Sequence, residues 1–506
     1  MTGAGHTAGR QLFPPNATGR HRSRRDVDVV SFLAVDFGTT STKSTLVDLE
    51  TGVFSHLRRH AALPTAATVP GHHEVSLEAI RRRFDAICID AWEAAPFDGI
   101  VLCSEMHGFA LLHPATGMPL TEYVSWLDAR ALEIVDGTST VDAVTDHLGD
   151  DRFRQLTGMR PRPGFPLLNL IHCGRTLDLP EQVVVLSLPG WLATGGQSPG
   201  ASLPTLPPEH PTILAGMALY DVRAKVVAAQ LLDVVQQLGG VSAHVGAPAA
   251  ENTISGHWQG PDEAVPIYAG VGDHQCSVLG AGVALGGVAS VNLGTGSQVG
   301  LVDGPLDDGI TEHRPFFDGR HLAAVTHIPS GRALAEFIGF LQQTVSFGRG
   351  SSDIAPDMWQ ALGKITPEAV ADADLQIDLA VFDGARGWSG GGRITGIIEG
   401  GLTPTHYLAS VLGAFARQYS EVLDQLDPER SIPVALSGGI ARNLPHLAAI
   451  VGSASGRQVE GAVELDESLL GLRALALHCA GKTDTVAAGQ ARFGRQCQIE
   501  AEEEST

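Results

Sequence analysis

Two runs about half a chain apart repeat one pattern: Val35-Asp36-Phe37-Gly38-Thr39-Thr40-Ser41 and Val291-Asn292-Leu293-Gly294-Thr295-Gly296-Ser297. In each, an apolar stretch ends near an acid or its amide, a Gly-Thr pair follows, and hydroxyl residues lead into a second stretch. This predicts a strand, a glycine turn and a second strand in both places. Glycine lets the main chain approach a ligand and turn its N–H groups outward, while the hydroxyls add donors, so such a turn suits a phosphate. One glycine turn carries little weight, because turns use these residues for conformational reasons alone. A duplicated one predicts two similar halves, each offering a phosphate loop to a ligand between them.

The second copy belongs to the stretch Val265 to Gly300, which also holds an isolated acid. The apolar run Val265 to Val271 reads as a strand loosened by Gly270 and Gly272, and Asp273 then opens a small-residue helix running to about Gly282. An acid in that position faces a cleft as a proton acceptor or serves as the helix N-cap, and the two roles are compatible. A third element, Val434 to Asn443, reads as a buried strand emptying into Ser437-Gly438-Gly439 before a helix. Adjacent glycines let a flat ring lie against the backbone, and a helix N-terminus adds a favourable dipole. Asn443 either caps that helix or contacts the nucleotide. Asp36 holds Mg²⁺ beside the phosphates or caps its turn, and Lys43 neutralises phosphate or is solvated.

Between these elements, a helix at Glu78 to Trp92 precedes the strand Gly99 to Cys103 and the cluster Ser104-Glu105-Met106-His107-Gly108. A polar cluster between apolar strands suits the lining of a small-molecule pocket. His107 hydrogen-bonds a sugar hydroxyl or is a satisfied packing residue. Trp126, Asp128 and Arg130 form a second polar group, in which Asp128 and Arg130 orient hydroxyls or make a structural ion pair. Further helices are expected at Val222 to Leu238, Arg332 to Thr344, Thr405 to Gln425 and Glu467 to Cys479, the last packing the second half. The run Gly195 to Pro211 and the glycine-rich Ala380 to Gly392 read as loops.

With 506 residues the chain has material for at least two domains. A formal charge of −22 argues against a broad nucleic-acid footprint, and no apolar run is long enough to cross a bilayer. An anionic nucleotide would have to be received by local donors and a divalent metal. The six cysteines are scattered without metal-ligand spacing and read as reduced, buried thiols. Residues 1–30, with the basic run Arg20 to Arg25, read as a disordered tail, and a cytoplasmic location is expected.

Together these residues resemble the FGGY carbohydrate kinases, over roughly Ser31 to Gly481. The resemblance implies an α/β fold of two actin-like ATPase (ribonuclease H-like) domains with a nucleotide and sugar cleft between them. Residues 31–286 and 287–487 would be the two domains, with 488–506 a tail. Gly38, Thr39, Thr40 and Lys43, then Gly294, Thr295, Gly296 and Ser297, would bracket the phosphates of ATP, with Mg²⁺ at Asp36. Gly438, Gly439 and Asn443 would receive adenosine. Asp273 would be the catalytic base and also contact the sugar, alongside Glu105, Met106, His107, Asp128 and Arg130.

Met106 to Gly108 and Trp126 to Arg130 resemble the xylulokinase and sedoheptulokinase branches. Phe316 to Ile338 resembles sedoheptulokinases more closely, so a ketose, sedoheptulose first, is the expected acceptor. Glu105 stands where those branches carry Gln, which would place a charge near the sugar, and Pro211 to Asp221 lacks the expected polar residues. The partners implied are the sugar and ATP, without nucleic acid or membrane, and a homodimer is compatible. An actin-like chaperone or filament ATPase would share the nucleotide elements but not need the Glu105 cluster and Asp273. A silent sugar-binding protein would be expected to have lost Asp273 or a phosphate loop.

Overall fold

Each glycine hairpin founds a sheet. The computed structural model describes residues 30–67, 69–195, 205–294, 296–306, 311–349, 357–382, 388–495 and 498–499. In the first sheet, Ser31–Phe37 pairs antiparallel with Ser41–Asp48 and parallel with Gly99–Ser104; Phe54–Ala61, Ala264–Tyr268 and Ile254–Gln259 extend it. In the second, Ala289–Leu293 pairs antiparallel with Ser297–Val302 and parallel with Val434–Ser437. The registers correspond as well. Asp36 lies opposite Lys43 and Cys103, while Asn292 lies opposite Gln298 and Ser437. The repeat in the sequence is therefore a repeat of topology.

Alternation along the first strand explains its two covers. Leu33 and Val35 pack with the helix Leu77–Ala94, whereas Phe32 and Ala34 share a core with the helix Glu467–Cys479. The first of these helices starts where the Ser76 hydroxyl accepts the Ala79 N–H at 3.3 Å, and it turns Ile80, Phe84, Ile87, Cys88 and Ala91 inward at helical spacing. Burying Phe84 alone contributes about 2–3 kcal/mol. A separate core, built from helices such as Pro166–Thr176 and Ala229–Gly239, supports the flank of the first lobe.

Three expectations need correction. The helix expected from Val222 begins only at Ala229, because Tyr220–Asp221 and Val226–Val227 form a hairpin. The Asp221 side chain accepts the N–H groups of Arg223 and Ala224, and Lys225 takes φ +58, which no helix tolerates. The helix Glu467–Cys479, expected to pack the second half, lies against the first sheet and the Asp273 helix. The region expected as tail from residue 488 continues the helix Val486–Phe493, where Arg473 lies over both Phe54 and Phe493. Residues 1–29, with the basic run, fall outside the described residues. So do residues 196–204 of the proline-rich run, residues 383–387 and Cys497. The five described cysteines are free and buried, and among the described residues no helix is long and apolar enough to cross a membrane.

Candidate active site

The two hairpins, the Gly438 turn and Asp273 line one cavity of about 870 Å³. Asp36, Gly38, Thr39, Thr40 and Lys43 come to it from the first sheet, Asn292 and Gly294 from the second, and Gly438, Gly439 and Asn443 from the third element. Gly438 has φ +89, and a Cβ there would stand 2.5 Å from the Leu293 carbonyl oxygen, so only glycine lets this turn close against the second hairpin. A Cβ on Gly439 would meet nothing within 4 Å, so that side of the turn is open to a ligand. Thr295 lies outside the described residues. Ser297 is buried and its hydroxyl donates to the Asn292 carbonyl at 2.8 Å, which ties the hairpin rather than facing the cavity.

Asp273 is the first residue of the helix Asp273–Val278 and accepts its neighbour's N–H, from His274, at 2.7 Å. Burial, with the charges of Asp36 and Glu105, pushes its carboxyl up to about 7, while Arg314 acts the other way. A carboxyl poised there accepts a proton efficiently near neutrality. Gly272 precedes it for a steric reason: a Cβ would fall 2.4 Å from Met106 Sδ. Met106 is thus a buried wedge behind Asp273, held between Gly272 and Gly216.

Asp36 is buried and multiply bound. Oδ2 accepts from Ser468 Oγ at 2.6 Å and from Lys43 Nζ at 3.2 Å, and Cys103 Sγ lies 3.6 Å from Oδ1. Lys43 also meets Asp466 at 3.3 Å, and despite burial these two carboxylates raise its pKa. Lys43 is therefore paired rather than solvated. Four cations (Lys43, Arg59, Arg332, Arg442) face four carboxylates (Asp36, Asp273, Asp466, Glu467) around the cavity. A triphosphate brought into that balance needs its own divalent cation, and Oδ1 of Asp36, free of any strong donor, suits a hard cation that retains waters and phosphate oxygens. The residues fit Mg-ATP.

The expected sugar contacts divide into two groups. His107 donates from Nδ1 to the Gly216 carbonyl and packs on Phe165; burial and then Arg162 and Arg314 hold it well below its usual pKa, so its other nitrogen is an acceptor. Trp126, which is 41% exposed, lines the cavity, and its indole N–H donates to Thr39 Oγ1 at 2.9 Å. Asp128 and Arg130 are buried in a network with Glu74 and the His73 N–H. Hydrogen bonds from Arg130 and His73 hold Asp128 low despite burial. Of the expected sugar contacts, only Asp273 lines the large cavity, with Trp126 beside it; Met106, His107, Asp128 and Arg130 do not.

Glu105 faces the underside of the first hairpin. Its Oε2 accepts from Thr39 Oγ1 at 3.1 Å, and Oε1 has no hydrogen-bond partner. It lines a separate void of about 50 Å³ together with Tyr123 and His73. Burial pushes its pKa up against the nearby hydroxyls of Tyr123, Thr39 and Ser125.

Several site residues were not anticipated. Asp466, Glu467 and Ser468 enter the cavity from the start of the helix Glu467–Cys479, which no glycine turn precedes directly, and Arg442 pairs with two of them, at 3.1 Å to Asp466 and 2.8 Å to Glu467. Buried Gln275 donates to the Pro315 carbonyl at 3.3 Å and leaves Oε1 unpartnered, two residues beyond Asp273. Its proximity to Asp273 was the available signal.

Residues 31–172 match the N-terminal domain of the FGGY family of carbohydrate kinases. The chain is 25% identical to a glycerol kinase of Methylobacterium radiotolerans over 442 residues, 81% of this chain and 82% of that protein. An apulose kinase of Pectobacterium atrosepticum is 23% identical over 287 residues, spanning about half (53%) of each protein. Among solved structures, a gluconate kinase from Lactobacillus acidophilus superposes with a TM-score of 0.74 at 15% identity over 92% of each chain. A xylulose kinase from Rhodospirillum rubrum gives 0.73 at 17% identity, covering 91% of this chain and 92% of its own. These likenesses carry the two-lobed α/β FGGY fold across both sheets, whereas the family match itself covers only the first lobe.

Proposed function

We propose that this protein is an ATP-dependent carbohydrate kinase of the FGGY type that phosphorylates a hydroxyl of an open-chain ketose, with sedoheptulose the leading acceptor and xylulose the runner-up. The observation that carries the reading is the Asp273 carboxyl, near pH 7 in affinity for its proton, on the same cavity as two glycine hairpins and the Gly438 turn. Asp273 takes the proton of the attacking hydroxyl as its oxygen bonds to phosphorus and the bond to the ADP oxygen breaks. Bound Mg-ATP supplies the phosphoryl group and the divalent charge. Lys43 and the hairpin N–H groups hold the phosphates, Asp36 orients the metal, and Gly438, Gly439 and Asn443 receive the adenosine. Trp126 offers an apolar face to the carbon chain, while His107 and Gln275 supply acceptors for its hydroxyls.

The ketose preference rests on Met106 to Gly108, Trp126 to Arg130 and Phe316 to Ile338. Relatives named for apulose and glycerol, and structural neighbours named for xylulose and gluconate, make the acceptor the point to test. Acceptor-dependent ADP release with Mg-ATP should be measured across sedoheptulose, xylulose, ribulose, fructose, glycerol and gluconate. Strong preference for one ketose supports the proposal. Preference for glycerol or gluconate removes the ketose assignment, and no stimulation by any acceptor with ATP bound removes the catalytic one.

A further inference from the structure

Away from the cleft, a second cavity of about 500 Å³ lies where the hairpin turn carrying Arg223 and Lys225 meets His313, Arg320 and His321 of the second lobe. It shares no lining residue with the nucleotide cavity. The turn is braced by Asp221, whose side chain accepts two of its N–H groups, and by Lys225 in the left-handed region at φ +58. A non-glycine residue held there indicates that the surroundings fix the turn's shape.

The charge of this cavity is one-sided, in a protein whose overall formal charge is −22. Its one lining carboxylate, Glu251, is engaged by His210 at 3.6 Å and by the Asp318 N–H at 2.8 Å. Arg320 is committed to Asp303 at 2.8 Å. Lys225 makes a single hydrogen bond, to the Gly319 carbonyl at 2.9 Å, and Arg223 has no side-chain partner among the described residues. His313 and His321 stand edge to face with ring centres 5.1 Å apart, and His321 is committed to the Gly304 carbonyl at 3.0 Å and to Asp303 at 3.4 Å. Burial, followed by the neighbouring His321, Arg223 and Lys225, holds His313 down at about 4, which makes it a neutral hydrogen-bonding group beside two cations.

We propose that this cavity binds a small phosphate monoester, its phosphate held by Arg223 and Lys225 of the first lobe and by the imidazole of His313 of the second. Fixed cations beside a neutral donor match a phosphate, and the volume accommodates the polyol portion of a sugar phosphate. The ligand bridges the lobes, so its binding favours the lobe arrangement that brings the turn and His313 together. The site is independent of the acceptor identity proposed above.

Calorimetric titration in phosphate-free buffer with saturating Mg-ADP, which occupies the nucleotide site, tests the proposal. The probes are glucose 6-phosphate, inorganic phosphate and glucose. Glucose 6-phosphate should bind the unmodified protein, and R223A/K225A should weaken it by at least about tenfold while leaving ADP affinity unchanged. No binding of glucose 6-phosphate up to about 10 mM, or equal affinity in the double variant, overturns the site. Glucose binding as tightly as the ester overturns the role of phosphate. Inorganic phosphate matching the ester overturns the assignment to a monoester and leaves a site for free phosphate. None of these outcomes depends on turnover.

Discussion

Asp273→Asn separates chemistry from folding. The carboxyl moves from an ordinary 3.8 to about 7 on folding, which at about 1.4 kcal/mol per pKa step costs the ionised folded state at most about 4 kcal/mol. Asp273 opens on a solvent-accessible cavity, so screening reduces this to about 2 kcal/mol. The sign follows from the raised pKa: the proton's contribution to stability is complete below about pH 4 and is lost as pH rises through 7. Asparagine keeps the size and the acceptor for the His274 N–H without the charge. Urea unfolding at pH 8 should show the variant more stable by about 2 kcal/mol, with the advantage gone at pH 4. Acceptor-dependent ADP release should fall about 10²- to 10⁴-fold, the span of a lost general base, with ATP affinity retained. In the unmodified enzyme kcat/KM should rise with pH to a plateau above about 7, and the residual activity of the variant should lack that rise. Turnover within about threefold of the unmodified enzyme, with a preserved pH profile, would refute Asp273 as the base.

Gly438→Ala forces a side chain into φ +89 and to 2.5 Å from the Leu293 carbonyl; a loss of about 1–3 kcal/mol in denaturant unfolding and weaker ATP binding are expected, and unchanged ATP affinity would detach this turn from the nucleotide. Glu105→Gln removes a buried charge whose Oε1 has no partner. It should stabilise the protein at pH 8 by about 1 kcal/mol without altering the acceptor profile; a broadened ketose range would return Glu105 to the sugar site. Ser468→Ala deletes the 2.6 Å bond to Asp36, and a stability loss of about 1–2 kcal/mol with a raised KM for Mg-ATP is expected, an unchanged KM leaving the serine a purely structural contact.

The turns that line the large cavity were legible because glycine marks them. Gly38, Gly294 and Gly438 each follow a strand, and strand–glycine–strand and strand–glycine–helix patterns are local, so each could be read by itself, and the duplication of the first two pointed to one shared cleft. Asp273 was legible for a related reason, a solitary acid after an apolar strand. The hairpin at Tyr220–Val227 was missed because Val222 to Leu238 satisfies a helical period. The Asp221 side-chain bonds and the left-handed Lys225 that interrupt it are tertiary commitments, carried by residues helices otherwise accept.

The helix Glu467–Cys479 shows why the remainder could not be read. Its small-residue pattern is compatible with either sheet, and nothing local reveals that it crosses back under the first. That crossing brings Ser468 to Asp36, 432 residues earlier, and Asp466 to Lys43. The helix Glu467–Cys479 thereby braces the first glycine hairpin, and Arg442 beside the Gly438 turn grips the same helix end through Asp466 and Glu467. A displacement of that helix end would reach the first hairpin and the Gly438 turn together, because each is tied to it by charge-assisted hydrogen bonds. Coupling of this kind makes a double-mutant cycle between Ser468→Ala and Arg442→Ala informative. A coupling of about 0.5–3 kcal/mol in Mg-ATP binding is expected for residues acting through one element, whereas additive losses would mean that the two ends of the nucleotide are held independently.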